Sequence, residues 1–142
     1  MKVYVINGPN INLLGTREPE IYGYETLDDI AKKCIENGNK KGIDVKFMQS
    51  NYEGELVGWI QDAIINKIDA IVINAAAYTH TSIAIHDAFK SFSGFKIELH
   101  ISFEIILSSL DFGRSFICLI KGGSPLNARA ASVSIIKFIH NS

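Results

Sequence analysis

The segment REPEIYGYETL, residues 17–27, combines an arginine with two tyrosines and has neither helical nor strand periodicity. A tyrosine titrates at about pH 10, so it acts as a base near neutral pH only when a cation stabilises its phenolate. Arg17 is close enough in sequence to Tyr22 to be that cation. The pair predicts removal of a proton from a carbon next to a carbonyl. The alternative is a surface loop with a packed Tyr22 and a solvated Arg17.

Three asparagines, Asn7, Asn10 and Asn12, precede this pair. Their amides suit a water molecule, or an oxygen on which enolate charge develops. Asparagines in loops also serve turns, so each has a structural alternative. The loop that carries them has the length of a lid or binding loop.

Glu98 and His100 lie two residues apart in IELHIS, and the strand period places them on one face. A carboxylate there orients the imidazole and favours its protonated form, which a general acid requires. Ser102 continues the same face and offers its hydroxyl to a substrate. The alternative is an ion pair at a sheet edge.

The segment NAAAYTHTSIAIHDAF brings Asn74 off a strand and leads into a helix that carries His80 in its first turn. His80 and Asp87 share one face of that helix, so both are predicted to face a crevice. A capping or surface histidine is the alternative. The four histidines lack the spacing of a metal site, so no metal is predicted.

Short β-branched runs alternate with amphipathic segments, which predicts a βα repeat. The strands are predicted at residues 2–6, 44–48, 69–74, 96–101 and 116–120. Two helices have clear apolar stripes, formed by Leu27, Ile30, Ala31, Cys34 and Ile35 in the first and by Leu56, Ile60, Ala63 and Ile64 in the second. Thr26 and Asp29 have capping-box spacing ahead of the first stripe.

These elements predict an α/β fold of the flavodoxin-like type, with an open five-stranded parallel sheet and helices on both faces. Such sheets bind ligands outside the carboxyl ends of their strands, at the switch point of strand order. The polar segments described above follow those strand ends. The sequence therefore predicts an active site at this rim.

The chain has 142 residues, 47% hydrophobic content and a net charge of -1, which predicts one domain over residues 1–142. It has no basic stripe to meet a nucleic acid or an anionic membrane. It also lacks a spanning apolar run and a nucleotide-binding glycine motif. The start MKVYVINGPN has no long apolar h-region or small-residue cleavage site, so no signal peptide is expected. Cys34 and Cys118 lie in apolar segments, as reduced core thiols do, so a cytoplasmic location is expected.

The segments INGPNINLLGTREPEIYGYETL, QSNYEGELVGWIQDA, INAAAYTHTSIAIHDA and IELHIS together resemble type II 3-dehydroquinate dehydratase. The resemblance implies a lyase that needs neither metal nor cofactor and serves the shikimate pathway of aromatic amino-acid biosynthesis. It implies anti elimination of water from 3-dehydroquinate, through an enolate, to give 3-dehydroshikimate. It also implies a homo-oligomer built of trimers, typically a dodecamer.

The resemblance also assigns roles to matching residues. Tyr22 is the base for the C2 proton, with Arg17 lowering its pKa. Asn10 holds the water that faces the enolate, and His100, oriented by Glu98, is the acid that releases the hydroxyl. Substrate-binding positions correspond to Asn74, His80, Asp87, Ile101 and Ser102.

The resemblance extends to about residue 102, and residues 103–142 diverge from it. Ala75 and Ala76 stand where the family has Pro-Gly. Arg114 is the only arginine between the IELHIS motif and the last predicted strand, so it is the candidate for binding the substrate hydroxyls. A surface position for Arg114 is the alternative. The divergent tail motivates a second hypothesis, a catalytically impaired homologue that retains ligand binding or assembly.

Overall fold

A computed structural model describes residues 1–17, 19, 24–101 and 115–120, with the backbone alone for residues 100, 101 and 115–120. Its strands are β1 (Lys2–Asn7), β2 (Asp44–Gln49), β3 (Ala70–Asn74), β4 (Phe95–Ile101) and β5 (Ser115–Ile120). Its helices are α1 (Leu27–Asn39), α2 (Glu53–Ile65), α3 (Tyr78–Thr81) and α4 (Ile83–Ser91). A short 3₁₀ turn covers Ile11–Leu13.

The strands form a parallel sheet in the order β2-β1-β3-β4-β5. Strands β1 to β4 carry the described core, and the backbone of β5 runs beside β4. The chain passes from β1 outward to β2 and returns to the other side of β1 as β3, so the strand order switches between β1 and β3. The predicted α/β fold with a parallel sheet and helices is confirmed.

The two faces of the sheet bury different sets of side chains, as the strand period requires. One face packs against α2 and α4 through the cluster that includes Tyr4, Ile6, Leu56, Ile60, Ile71, Ile73, Ile85 and Phe89. The other face contributes Val3, Val5, Val72, Ile97 and Leu99. Each fully buried aliphatic side chain stabilises the fold by about 1.5 to 3 kcal/mol relative to an exposed one.

Helix α1 begins where the sequence predicts. The Thr26 hydroxyl accepts the Asp29 N–H at 3.2 Å, and the Asp29 carboxylate accepts the Thr26 N–H at 3.1 Å. These two bonds complete the predicted capping box, and the bonds from Thr26 lower the pKa of Asp29. Cys34 is buried, as predicted, and burial raises its pKa to about 11.

The prediction of each apolar stripe is wrong at its last residue, which is exposed and not buried. Ile35 is 38% exposed and Ile64 is 40% exposed. Each follows a buried residue, Cys34 or Ala63, by one position. That step turns a side chain by about 100° around the helix axis, which carries it out of the buried stripe.

Candidate functional site

The carboxyl ends of three strands lie side by side at the switch point. Asn7 pairs in register with Gln49 on one side and with Asn74 on the other. The Gly8 N–H then donates to the Asn74 carbonyl at 2.7 Å. A Cβ at Gly8 would lie 2.6 Å from the Ala75 carbonyl oxygen, so this close approach requires glycine. The predicted clustering of polar residues at one rim is confirmed for these three strands.

The three asparagines after β1 have different roles. The buried Asn7 side chain donates to the Met48 carbonyl at 3.1 Å, which is a structural bond. The Asn12 Oδ1 lies 3.4 Å from the Gln49 Nε2. Asn10 precedes the 3₁₀ turn with φ 66°, and its side chain does not cap that turn. The Asn10 amide therefore makes no capping bond to this turn, and the residue is exposed at the rim.

Asn74 has a buried side-chain amide, and one of its two polar atoms makes a hydrogen bond. The residue is 2% exposed, and its Oδ1 accepts the Ala76 N–H at 3.2 Å, which fixes the orientation of the amide. Its Nδ2 has no hydrogen-bond partner within the part of the chain that the structure describes. A buried donor in this state costs about 1 to 3 kcal/mol unless a ligand or water accepts from it. The predicted role of Asn74 in substrate binding stays a prediction, and its Nδ2 is a buried donor that no described residue uses.

Arg17 ends the first described stretch of the loop after β1. Its N–H donates to the Leu13 carbonyl at 2.8 Å, and its side chain is exposed. Tyr22 lies outside the described residues, so the pairing of Arg17 with Tyr22 stays a prediction.

The predicted single helix that carries His80 and Asp87 is wrong. His80 lies in α3 and Asp87 in α4, and Ser82 between them is extended, with φ -99° and ψ 98°. The Ser82 hydroxyl accepts the Ile85 N–H at 2.9 Å and so begins a new helix. His80 and Asp87 therefore share no helical face, although both side chains are exposed.

Glu98 and His100 occupy the end of β4. Glu98 is half-buried and pairs in register with Ile73, one position before Asn74. The backbones of His100 and Ile101 pair with Leu119 and Ile120 of β5. The orientation of His100 by Glu98 stays a prediction, as do the roles of Ile101, Ser102 and Arg114. Ser102 and Arg114 lie outside the described residues.

The sequence patterns missed two residues at this rim, Gln49 and Asn51. The Gln49 amide contacts the loop after β1, and the Asn51 Oδ1 accepts the Asn10 N–H at 3.0 Å. Both belong to the polar segment QSN, residues 49–51, which begins at the last residue of β2. The segment marks a strand end without indicating which side chains bond to which loop.

A cavity of about 560 Å³ opens at the opposite, amino-terminal edge of the sheet. It is lined in part by Lys67, Asp69, Phe92 and Phe95. The Asp69 carboxylate accepts the Lys2 N–H at 2.6 Å, so it already has a structural bond. Open α/β sheets bind ligands at the carboxyl edge, so we place the functional site at the rim and not in this cavity.

Within the described residues, no three His, Cys, Asp or Glu side chains are grouped closely enough to hold a metal ion. The helices of that same part of the chain are all too short or too polar to cross a membrane.

Comparison with known proteins assigns this rim to a family. The sequence model of the family Dehydroquinase class II matches residues 1–107. A 3-dehydroquinate dehydratase of Bartonella henselae is 55% identical over 102 residues, which are 72% of this chain and 68% of that protein. One from Clostridium acetobutylicum is 57% identical over 102 residues, 72% of this chain and 70% of that protein.

A solved structure supports the same relationship over nearly the whole chain. The type II dehydroquinase of Propionibacterium acnes superposes with a TM-score of 0.81 at 32% identity. The superposition covers 99% of this chain and 97% of that one. Because the family model matches three quarters of the sequence and includes the whole described rim, the chain belongs to the Dehydroquinase class II family.

Proposed function

We propose that this chain is a 3-dehydroquinate dehydratase, which eliminates water from 3-dehydroquinate through an enolate to give 3-dehydroshikimate. Its family membership makes it a hydro-lyase, and curated relatives above half identity carry the name 3-dehydroquinate dehydratase. The observation that carries the proposal is the buried Asn74 amide at the switch point, whose Nδ2 has no hydrogen-bond partner among the described residues. The comparisons give no support to an impaired homologue.

The reaction moves two protons and needs neither a metal nor a cofactor. Tyr22, as phenolate beside Arg17, takes the C2 proton, and the electron pair passes into the carbonyl to form the enolate. Asn10 holds a water molecule against the enolate oxygen. As the enolate collapses, the C–O bond breaks, and His100 gives its proton to the departing hydroxyl. Glu98 orients His100 and favours its protonated form.

Two observations support these roles. The Asn10 side chain is not consumed in capping the turn that follows it, so it is available to hold water. Glu98 lies on β4 one register position before the Asn74 row, on the face of the sheet that carries Ile73. The strand period predicts that position 100, two residues further on, lies on the same face as Glu98.

Substrate binding uses the remaining residues of the rim. Asn74 donates through its Nδ2 to a substrate oxygen. The other proposed contacts come from His80 and Asp87, from the Ile101–Ser102 segment and from Arg114. Arg114 lies beyond the residues that the family model matches, so its contribution rests on the guanidinium alone, whose fork of donors suits paired oxygens.

The finer architecture belongs to the same proposal. We take residues 1–142 as a single flavodoxin-like catalytic domain with five strands and helices on both faces. The strand order 2-1-3-4-5 and the pairing of β5 with β4 support it. The buried free thiol of Cys34 supports a cytoplasmic location.

Assembly into trimers, and from them a dodecamer, is also proposed. Ile65 and Ile83 are highly exposed, which supports an interface with other subunits. Sedimentation velocity measures the assembly, and a monomer at micromolar concentration would contradict it.

The Tyr22→Phe variant tests the base. The variant should bind substrate and melt like the wild type, because the substitution removes only one hydroxyl group. Its kcat should fall by at least about 100-fold, the usual contribution of a general base. Arg17→Ala should also lower kcat, because the phenolate loses its cation. Tyr24→Phe is the matched control, since Tyr24 is exposed two residues away and should leave kcat unchanged. A near-normal kcat for Tyr22→Phe would rule out this base.

A further inference from the structure

Two polar side chains at and just after the end of β2 connect the loops of the rim. Gln49 ends β2, and Asn51 follows it two residues later. The Gln49 Nε2 donates to the Gly8 carbonyl at 3.2 Å and to the Asn51 Oδ1 at 3.1 Å. It also lies 3.4 Å from the Asn12 Oδ1. All three neighbours of this nitrogen are acceptors, so the position requires a donor.

Asn51 joins three segments of the chain. Its Oδ1 accepts from Gln49 and also from the Asn10 N–H, at 3.0 Å, which uses both lone pairs of that oxygen. Its main-chain carbonyl accepts the Tyr78 hydroxyl of α3 at 3.0 Å. The loop after β1, the loop after β2 and helix α3 therefore meet at Asn51.

The Asn10 backbone is in the left-handed region, with φ 66°. Asparagine enters this region more readily than most residues with a Cβ, and the bonds around Asn10 select it. The Asn10 carbonyl accepts the Leu13 N–H at 3.0 Å, and its N–H is held by Asn51. This fixed backbone sets the direction of the Asn10 Cα–Cβ bond, from which the amide extends.

We propose that Gln49 and Asn51 are positioning residues, which hold Asn10 in the conformation that presents its amide to the catalytic water. This inference rests on the role proposed above for Asn10. Neither residue needs to touch the substrate. Their effect is on geometry, and a displacement of about 1 Å at a reacting group can cost roughly 100-fold in rate.

Two nearly isosteric substitutions separate positioning from charge. Gln49→Glu turns the donor into an acceptor that faces three acceptor oxygens, so the network should break. Asn51→Asp keeps an acceptor oxygen for both of its donors, so the network should remain. Each adds one negative charge to the rim, so repulsion of an anionic substrate should raise KM in both.

The expected result is a fall in kcat of about 10- to 100-fold for Gln49→Glu and of less than about threefold for Asn51→Asp. Asn51→Ala should behave like Gln49→Glu. When Asn10 is already replaced by Ala, adding Gln49→Glu should lower kcat by less than about threefold relative to Asn10→Ala alone. The reason is that the amide which Gln49 positions is already absent. Equal losses of kcat in the two acidic variants, or no loss in either, would overturn the proposal.

Hydrogen exchange of the Asn10 N–H gives a readout that does not depend on activity. Exchange should accelerate in Gln49→Glu and Asn51→Ala and stay unchanged in Asn51→Asp. Unchanged exchange in all three variants would overturn the proposal even if kcat falls. A wild type that fails to turn over 3-dehydroquinate would contradict the proposed function, and the exchange rates would still decide whether these residues hold Asn10.

Discussion

Ala76 holds one of the strained backbone positions of the rim. Its φ is 52°, and its N–H donates to the Asn74 Oδ1. The segment INAAAYTHTSIAIHDA resembles type II dehydroquinases, but Ala75 and Ala76 stand where that family has Pro-Gly. A glycine adopts positive φ without the steric cost that a Cβ imposes. The strain at Ala76 thus follows from a residue type that the local conformation does not favour.

Ala76→Gly should stabilise the fold. The relief of strain exceeds the added freedom of the unfolded chain, so the free energy of unfolding should rise by about 0.5 to 1 kcal/mol. Thermal denaturation should show an increase in Tm of roughly 2 to 4 °C. Ala84→Gly is the control, because exposed Ala84 lies in α4, where glycine lowers stability. A lower Tm for Ala76→Gly would show that this position is not strained.

Individual residues of the site were predictable by type and only partly by role. Asn7, Asn10 and Asn12 were equal candidates in the sequence, because a loop asparagine can serve a turn or a ligand. Only the bond from Asn7 to Met48 and the left-handed backbone of Asn10 separate them. These distinctions depend on contacts between segments about 40 residues apart, which no local pattern contains.

At the scale of elements, α2 is bonded to the sheet through a polar cluster of Tyr4, Lys46, Asp62 and Asn66. The Tyr4 hydroxyl of β1 donates to the Asp62 Oδ2 of α2 at 2.7 Å, and Asn66 donates to the Asp62 Oδ1 at 2.8 Å. The Lys46 Nζ of β2 lies 4.8 Å from the centre of the Tyr4 ring. Burial, and then the bond to Asp62 and the charges of Asp62 and Asp44, raise the pKa of Tyr4 to about 12.

Tyr4→Phe should lower the free energy of unfolding by about 1 to 2 kcal/mol near pH 8, because it removes a hydrogen bond to a charged acceptor. The pKa of Tyr4 is higher in the folded state, so folding favours the protonated phenol. Its contribution is fully present below about pH 10, the unfolded pKa, and is lost as the pH rises toward 12. Urea denaturation between pH 8 and 11 measures the difference between the two proteins.

The exposed Tyr52 provides the control for this pH series. Tyr52→Phe should match the wild type throughout, because its side chain makes no capping bond at the start of α2. A difference between wild type and Tyr4→Phe that stays constant up to pH 11 would contradict the assigned shift.

The elements themselves were predictable where local signals agree. Thr26 and Asp29 marked the start of α1, and the β-branched runs marked the strands to within a residue or two. The break between α3 and α4 was missed, although Ser82 ahead of the apolar positions Ile85 and Phe89 is a typical N-cap signal. The segment THTS suits a helical first turn and a cap equally well, and the buried hydroxyl of Ser82 selects the cap.

For the whole molecule, the parallel sheet and its ligand-binding edge followed from alternating periodicities. The register that aligns Asn7, Gln49 and Asn74 could not be predicted from these periodicities, because strand order depends on packing across the sheet. The family match ends at residue 107, so residues near the rim are covered while Arg114 is not. Both residues of the proposed proton transfers, Tyr22 and His100, lie within the matched part.

The most direct test of that chemistry is turnover of 3-dehydroquinate by the purified chain, followed through the absorbance of the conjugated enone product. We predict sustained turnover without added metal or cofactor, because the proposed mechanism assigns both proton transfers to the side chains of Tyr22 and His100. A substrate-dependent rise in Tm without turnover would contradict the dehydratase and favour an impaired homologue that retains binding. Neither turnover nor a change in Tm would contradict both.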